Sequence, residues 1–333
     1  MSWLWTPFWS NPLASPENYR RPKDLERLAA SWPRKALWAA ETVGWEGYWG
    51  SFKALRPERA SDFGATILGA ASPLLSANRT ARRNIALAFP DASEAERERI
   101  RKGTWRELGR IAGELPHLDT LTKLNPDAPI KVIGSDILHT LRERGHGAVF
   151  ICIHKSNWEL MPSVILAHGI PFDITYRAVN NPHIDAALLN ARRASGVQEA
   201  LPKGAGTPAL FRALKAGRSI GLMNDQKFNQ GLPSPLFGHD AMTAPGPTRL
   251  AQRFGVPLIP MAIRRTAPQR FEAEIFDPLP VPDASEGEAG LQKTLRRINT
   301  WVERQIQRDP DQWFWVHRRW PKEAWAKAGV LDA

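Results

Sequence analysis

The chain of 333 residues contains a single cysteine, Cys152. That excludes an intramolecular disulfide and a multi-cysteine zinc site, and it suits a reducing compartment. No uninterrupted apolar run of about 18 residues occurs, so a spanning helix is not expected. The nearest approach, A-T-I-L-G-A-A-S-P-L-L-S-A at 65–77, is broken by Pro73. The opening M-S-W-L-W-T-P-F-W-S-N-P lacks a basic n-region and a long apolar core, so no secretory signal is expected. No P-loop is present, and no G-x-G-x-x-G follows a strand pattern. No G-x-S-x-G elbow offers a serine nucleophile, no metal-ligand set is recognised, and no nucleic-acid-reading module is visible.

What is abundant is positive charge and tryptophan. The formal net charge of +11 favours an anionic partner. Seven of the fourteen tryptophans lie in the first fifty residues: Trp3, Trp5, Trp9, Trp32, Trp38, Trp45 and Trp49. An indole is satisfied at a bilayer interface, so membrane contact is expected at the extreme N-terminus, around Trp3, Trp5, Phe8 and Trp9. A hydrophobic fraction of 43% supports a globular fold.

Residues 24 to about 122 read as helical. Ser93 followed by Glu96 predicts a helix start, and Ile100, Trp105, Leu108 and Ile111 keep helical spacing. The run N-R-T-A-R-R at 78–83 sets Arg79, Arg82 and Arg83 near an apolar helix face. It fits a solvated face or an anionic-lipid contact, and alone reads as solvated. From about residue 130, short apolar strands alternate with helices closed by Gly145, Gly169, Gly196 and Gly217, and Asn181-Pro182 predicts a capped helix start. The fold expected is α/β, a mainly parallel sheet flanked by helices, with a helical Trp-rich region over 1–125 and the α/β core with a C-terminal helix over 126–333. The Pro- and Gly-rich stretch 226–245 reads as a functional loop.

Ligands of open α/β sheets gather at the carboxyl ends of parallel strands. His154 follows the strand A-V-F-I-C-I, Tyr176-Arg177 closes F-D-I-T-Y-R, and Asn224-Asp225-Gln226 follows S-I-G-L-M. A histidine there can act as general base, best with a carboxylate to orient it. Glu159, five residues on, approaches His154 if a helix begins near Ser156. The same spacing, Ser156-x-x-Glu159, also fits a capping box, and spacing alone favours the cap. Cys152 shares a strand face with His154 but sits in an apolar run, where inert core is the better reading.

The strand followed by H-x4-E resembles the glycerolipid acyltransferase superfamily. Ordered blocks elsewhere narrow this: N-R-T-A-R-R-N-I-A-L-A-F-P-D-A-S, Y-R-A-V-N-N-P-H-I-D, D-Q-K-F-N-Q-G through G-V-P-L-I-P, and D-P-D-Q-W-F-W-V-H-R-R-W-P. Together, over about 56–320, they resemble the lauroyl/myristoyl acyltransferases that complete lipid A. The resemblance implies transfer of a fatty acyl chain from acyl carrier protein to a hydroxyl of a lipid A precursor. It implies a peripheral enzyme on the cytoplasmic face of the inner membrane, with an anionic lipid acceptor, no nucleic acid, no cofactor and no metal. It makes His154 the general base and Glu159 its charge partner. It assigns Arg177 to phosphate or oxyanion binding and Asp225 to acceptor positioning or site architecture. Asn157, Trp158, Asn180, Lys203 and Arg249 complete the substrate-binding set. Two departures stand out: there is no N-terminal spanning segment, and N-D-Q-K-F-N-Q-G replaces an Asp-x-Asp-Tyr-Gly pattern. Another glycolipid acceptor of the peripheral mannolipid type, an acyl-CoA donor, a thioesterase and a non-catalytic lipid-binding protein remain the alternatives.

Overall fold

The computed structural model describes residues 30–123, 129–197, 200–202 and 207–331. Helices come first: α1 (Trp32–Lys53), α2 (Pro57–Ala71), α3 (Ala77–Ala88), α4 (Glu94–Glu114) and the short α5 (Leu118–Leu121). Ser93 opens α4 as its spacing predicted, its hydroxyl accepting from the Glu96 N–H at 3.2 Å. Helix α2 lies against α4 with almost no side-chain spacing. A methyl group on Gly64 would sit 2.1 Å from the Gly109 carbonyl oxygen, and one on Gly113 would sit 2.1 Å from that of Ala60. Only glycine permits this approach.

Strands and helices then alternate: β1 (Ile130–Ile133), α6 (Ser135–Arg144), β2 (Val149–Cys152), α7 (Met161–Ala167), β3 (Phe172–Tyr176), α8 (Pro182–Ala194), β4 (Ala200–Pro202), α9 (Thr207–Lys215) and β5 (Ser219–Met223). Gly145 ends α6 at φ +65°, the left-handed conformation that a glycine stop supplies. Asn181 caps α8, accepting from the N–H groups of His183 and Ile184, with Pro182 in the first turn. The chain continues through β6 (Leu232–Leu236), β7 (His239–Thr243), α10 (Gly246–Phe254), β8 (Leu258–Ala267), β9 (Arg270–Ile275), α11 (Gly287–Arg308) and α12 (Lys322–Lys327).

The stretch 226–245 is more ordered than a loop, because β6 and β7 pair as an antiparallel hairpin. Ser234, Leu236, Ala241 and Thr243 alternate inward, and Phe237 and Gly238 turn the chain with φ of +50° and +72°. Pro233 and Pro235 hide this strand from a sequence reading, since proline is depleted inside sheets.

The main sheet has the order β1-β9-β8-β2-β5-β3-β4, parallel throughout except for the β8–β9 hairpin. Strand β2 lies at its centre, in register with β8 on one side and β5 on the other, and every residue of it is buried. One face carries Val149, Ile151 and Ile153 into a core shared with α3, α10, α11 and the tryptophans Trp313, Trp315, Trp320 and Trp325. The other carries Phe150 and Cys152 into a core shared with α5, α6 and α7. Such double coverage is what makes the β2 sequence uniformly apolar. Among the described residues no helix is long and apolar enough to cross a membrane. Trp3, Trp5, Phe8 and Trp9, where membrane contact was expected, lie outside the described residues.

Candidate active site

Strand β2 delivers His154 to the carboxyl edge of the sheet, two residues past its last paired position. The neighbouring strand β5 delivers Asp225 to the same edge, with the Asn224 N–H bonded to the Cys152 carbonyl at 2.9 Å. Asp225 then grips His154 twice. Its Oδ2 accepts the His154 backbone N–H at 2.8 Å, and its Oδ1 meets the ring Nδ1 at 2.8 Å. Trp313 Nε1 donates to Oδ2, also at 2.8 Å. The Asp225 side chain is fully buried, whereas that of His154 keeps 17% of its surface open. Burial disfavours the Asp225 carboxylate, yet the His154 charge and the three hydrogen bonds outweigh it and hold the carboxyl below its usual range. An ionised carboxylate only accepts, so Nδ1 carries a proton, and in the neutral ring Nε2 is then the nitrogen with the free lone pair.

The chain just past β2 is held by the segment before α12. Ser156 N–H bonds the Gln312 carbonyl at 2.9 Å, and Phe314 N–H bonds that of His154 at 3.0 Å. Lys155 and Trp313 form an antiparallel bridge. The Lys155 side chain turns inward, where Nζ donates to Asp309 Oδ2 at 2.7 Å and to the Gln305 carbonyl at 2.8 Å. Burial lowers its pKa even though Asp309 opposes the change. The imidazole packs with two aromatic rings, Trp158 at 5.1 Å and Phe314 at 5.8 Å between centroids, and those two rings lie 5.8 Å from each other. These contacts restrict rotation of the imidazole.

Glu159 does not take the capping placement that its spacing alone favoured. Ser156 adopts φ +50°, so no helix begins there. A 3-10 turn spans Trp158–Leu160 and α7 starts at Met161, so the capping box does not form. The Ser156 hydroxyl instead donates to Glu107 Oε1 at 3.2 Å. Glu159 is held by a two-pronged ion pair with Arg192 of α8, Nε to Oε2 at 2.9 Å and Nη2 to Oε1 at 2.7 Å. The carboxylate hydrogen-bonded to the His154 ring is therefore Asp225. Burial opposes the charge on Glu159, but the Arg192 hydrogen bonds and charge, aided by the charge on His154, keep its pKa below the usual range.

Asn157 is buried, and its Nδ2 donates to Glu114 Oε2 at 2.8 Å. Glu114 and Glu107 share the Arg265 guanidinium of β8, each at 2.8 Å, so α4 is locked to the sheet beside the His154 turn. Burial pushes the Glu107 carboxyl up despite that partner. Arg177 is exposed just past β3, two strands from β2, which is about 10 Å at the usual strand spacing. Asn180 is exposed in the same connection, before the α8 cap. Arg249 is exposed on α10, whose Leu250 and Ala251 pack into the core on the sheet face opposite Cys152. The structure therefore brings His154, Asp225 and Trp158 into contact, holds Asn157 and Glu159 of the same turn on Glu114 and Arg192, and leaves Arg177, Asn180 and Arg249 exposed on other elements. Lys203 lies outside the described residues. Cys152 is buried, and burial pushes its thiol up to about 12, which suits inert core. Among the described residues no three metal-ligating side chains converge.

Sequence reasoning passed over Trp313, Phe314, Arg192 and Arg265. The first two belong to the block W-F-W-V-H-R-R-W, whose concentration of aromatics was the available signal. Arg192 sits in the last turn of α8 and looks like an ordinary C-terminal cation.

This arrangement can take a proton at Nε2 and stabilise the resulting imidazolium with the ionised Asp225 carboxylate bonded to Nδ1. The profile of the family described as bacterial lipid A biosynthesis acyltransferase matches residues 46–322. The lipid A biosynthesis palmitoleoyltransferase of Escherichia coli K12 is 26% identical over 268 residues, covering 77% of this chain and 83% of that protein. The lipid A biosynthesis acyltransferase of Shigella flexneri matches to the same extent. The lipid A biosynthesis lauroyltransferase of Escherichia coli K12 is 26% identical over 244 residues, 71% of this chain and 76% of that protein.

Proposed function

The chain belongs to the bacterial lipid A biosynthesis acyltransferase family and is an acyltransferase, and from that premise we propose that it moves a fatty acyl chain from acyl carrier protein to a hydroxyl of a lipid A precursor, at the cytoplasmic face of the inner membrane. The observation that supports this reading is the Asp225–His154 pair, with ring Nδ1 2.8 Å from a buried carboxylate oxygen, an arrangement in which the neutral ring offers Nε2 as base.

His154 Nε2 takes the proton of the acceptor hydroxyl as its oxygen attacks the thioester carbonyl. The tetrahedral centre collapses, the carbon–sulfur bond breaks, and the same proton passes from Nε2 to the leaving sulfur. Asp225 fixes the tautomer and the ring plane, and Glu159 lowers the energy of the imidazolium from its place against Arg192. Acid–base placement of this kind contributes roughly 10²–10⁴-fold in rate. Arg177 is assigned to the acceptor phosphate or the developing oxyanion. Asn157 and Trp158 shape the floor and wall beside His154, and Asn180, Lys203 and Arg249 serve the outer binding surface. The net charge of +11 complements an acidic carrier and a phosphorylated acceptor.

The test is incubation of the purified protein with acyl carrier protein charged with a defined chain and a lipid A precursor, followed by mass analysis of the lipid. The expected product is the precursor carrying one added acyl ester. Free fatty acid without acylated lipid would replace this reading with a thioesterase.

A further inference from the structure

Helix α2 has a buried face of small residues and an outer face on which apolar side chains stand among Glu58, Arg59, Asp62 and Thr66. The inner face, with Ala60, Ser61, Gly64 and Ala65 buried, packs on α4 at glycine-limited distance. On the outer face Phe63 is 50% and Ile67 46% exposed, and in the 3-10 turn that follows, Leu74 is 89% exposed. Leu75 extends the same patch. Of the nine large hydrophobic side chains exposed among the described residues, seven lie on α1, α2 and this turn, including Trp32, Leu37 and Val43 of α1. A soluble helix normally turns such a face inward, and a contiguous exposed patch marks an interaction surface.

Exposed arginines border the patch: Arg56 at the α2 cap, Arg59 on α2, and Arg79 on α3, none with an ion-pair partner among the described residues. Of the exposed acids on α2, Glu58 stands beside Arg59, and Asp62 is already paired with Arg110 at 2.5 Å. Apolar side chains ringed by cations are the composition of a helix that lies in the headgroup region of an anionic bilayer. We propose that the outer face of α2 and the turn at residues 72–75 form the membrane-docking surface, seated on an anionic lipid bilayer. This deepens the reading of the acceptor as a membrane-held lipid, and rests on it for the direction in which substrate arrives.

Hydrogen bonds link α2 to the catalytic turn. Ser61 on its inner face donates to Glu114 Oε1 at 2.7 Å, and Glu114 Oε2 accepts from Asn157, three residues past His154. The body of α2 and helix α4 therefore lie between the docking face and the catalytic turn, the two helix axes being about 8–10 Å apart.

The experiment is co-sedimentation of the full chain with vesicles of phosphatidylglycerol and phosphatidylcholine, and with phosphatidylcholine alone. The variants are Ile67→Ser with Leu74→Ser, and Arg59→Gln with Arg79→Gln. Thermal unfolding confirms that each variant folds, since all four side chains point to solvent. The apolar pair is expected to lower partitioning about tenfold or more, and the arginine pair to abolish the preference for anionic vesicles. Transfer to an acceptor dispersed in detergent is expected to stay unchanged in both. Vesicle binding equal to that of the unaltered chain in the folded apolar variant overturns the proposal, as does an unaltered chain that binds neither vesicle. Loss of transfer in detergent by the unaltered chain bears on the acyltransfer reading alone.

Discussion

Trp313 Nε1 and the His154 backbone N–H converge on one oxygen, Asp225 Oδ2, each at 2.8 Å. That shared acceptor fixes the carboxylate so that its second oxygen faces the imidazole. Trp313→Phe removes the indole donor and frees Asp225 to rotate. A hydrogen bond to a charged group contributes about 1.5–3 kcal/mol. The variant is expected to lose stability of that order in denaturant titration and to lower kcat with little change in KM. Loss of stability without loss of kcat would make Trp313 a packing residue only.

Arg192→Met leaves Glu159 buried without its cation. Breaking a buried pair from one side costs about 3–5 kcal/mol, and the variant is expected to unfold at correspondingly lower denaturant. The double variant Arg192→Met with Glu159→Gln removes the stranded charge and is expected to recover much of that stability while turnover remains low. Full recovery of turnover in the double variant would remove Glu159 from the chemistry.

Stability is expected to fall in acid through Asp225 and Glu159. Both carboxyls lie below their ordinary range in the folded protein, because their bonds and neighbouring cations outweigh the cost of burial. A depressed folded pKa stabilises the fold fully above the unfolded value, roughly 3.9 for Asp and 4.3 for Glu, and that contribution is lost as pH falls through the lower folded values. Denaturant midpoints measured from neutral pH into this acid range should decline, and Asp225→Asn should flatten the decline. An unchanged slope in that variant would show that Asp225 is not held ionised by these contacts.

How much of this could be read from the sequence divides along physical lines. His154 at the end of a buried strand was legible because a uniformly apolar run followed by a polar residue marks the carboxyl edge of a parallel sheet. The starts at Ser93 and Asn181 were legible because capping is local. Asp225 drew notice as a strand-end carboxylate, but its bond to His154 depends on β5 lying beside β2, and strand order is not written in local pattern. The capping reading of Glu159 failed for a related reason. It assumed a helix from Ser156, whereas Gln312 and Glu107 hold Ser156 in a left-handed conformation from distant parts of the chain. The β6–β7 hairpin escaped because its prolines mask an alternation that the tight Phe237-Gly238 turn completes.

The central claim is that Asp225 orients His154 as the base for acyl transfer. It is tested most directly by steady-state transfer from acylated carrier protein with Asp225→Asn, an isosteric change that retains the fold and removes the charge. The account predicts that kcat falls by roughly 10²–10⁴-fold, as far as in His154→Ala, with KM nearly unchanged. Turnover by Asp225→Asn close to that of the unaltered protein would contradict it.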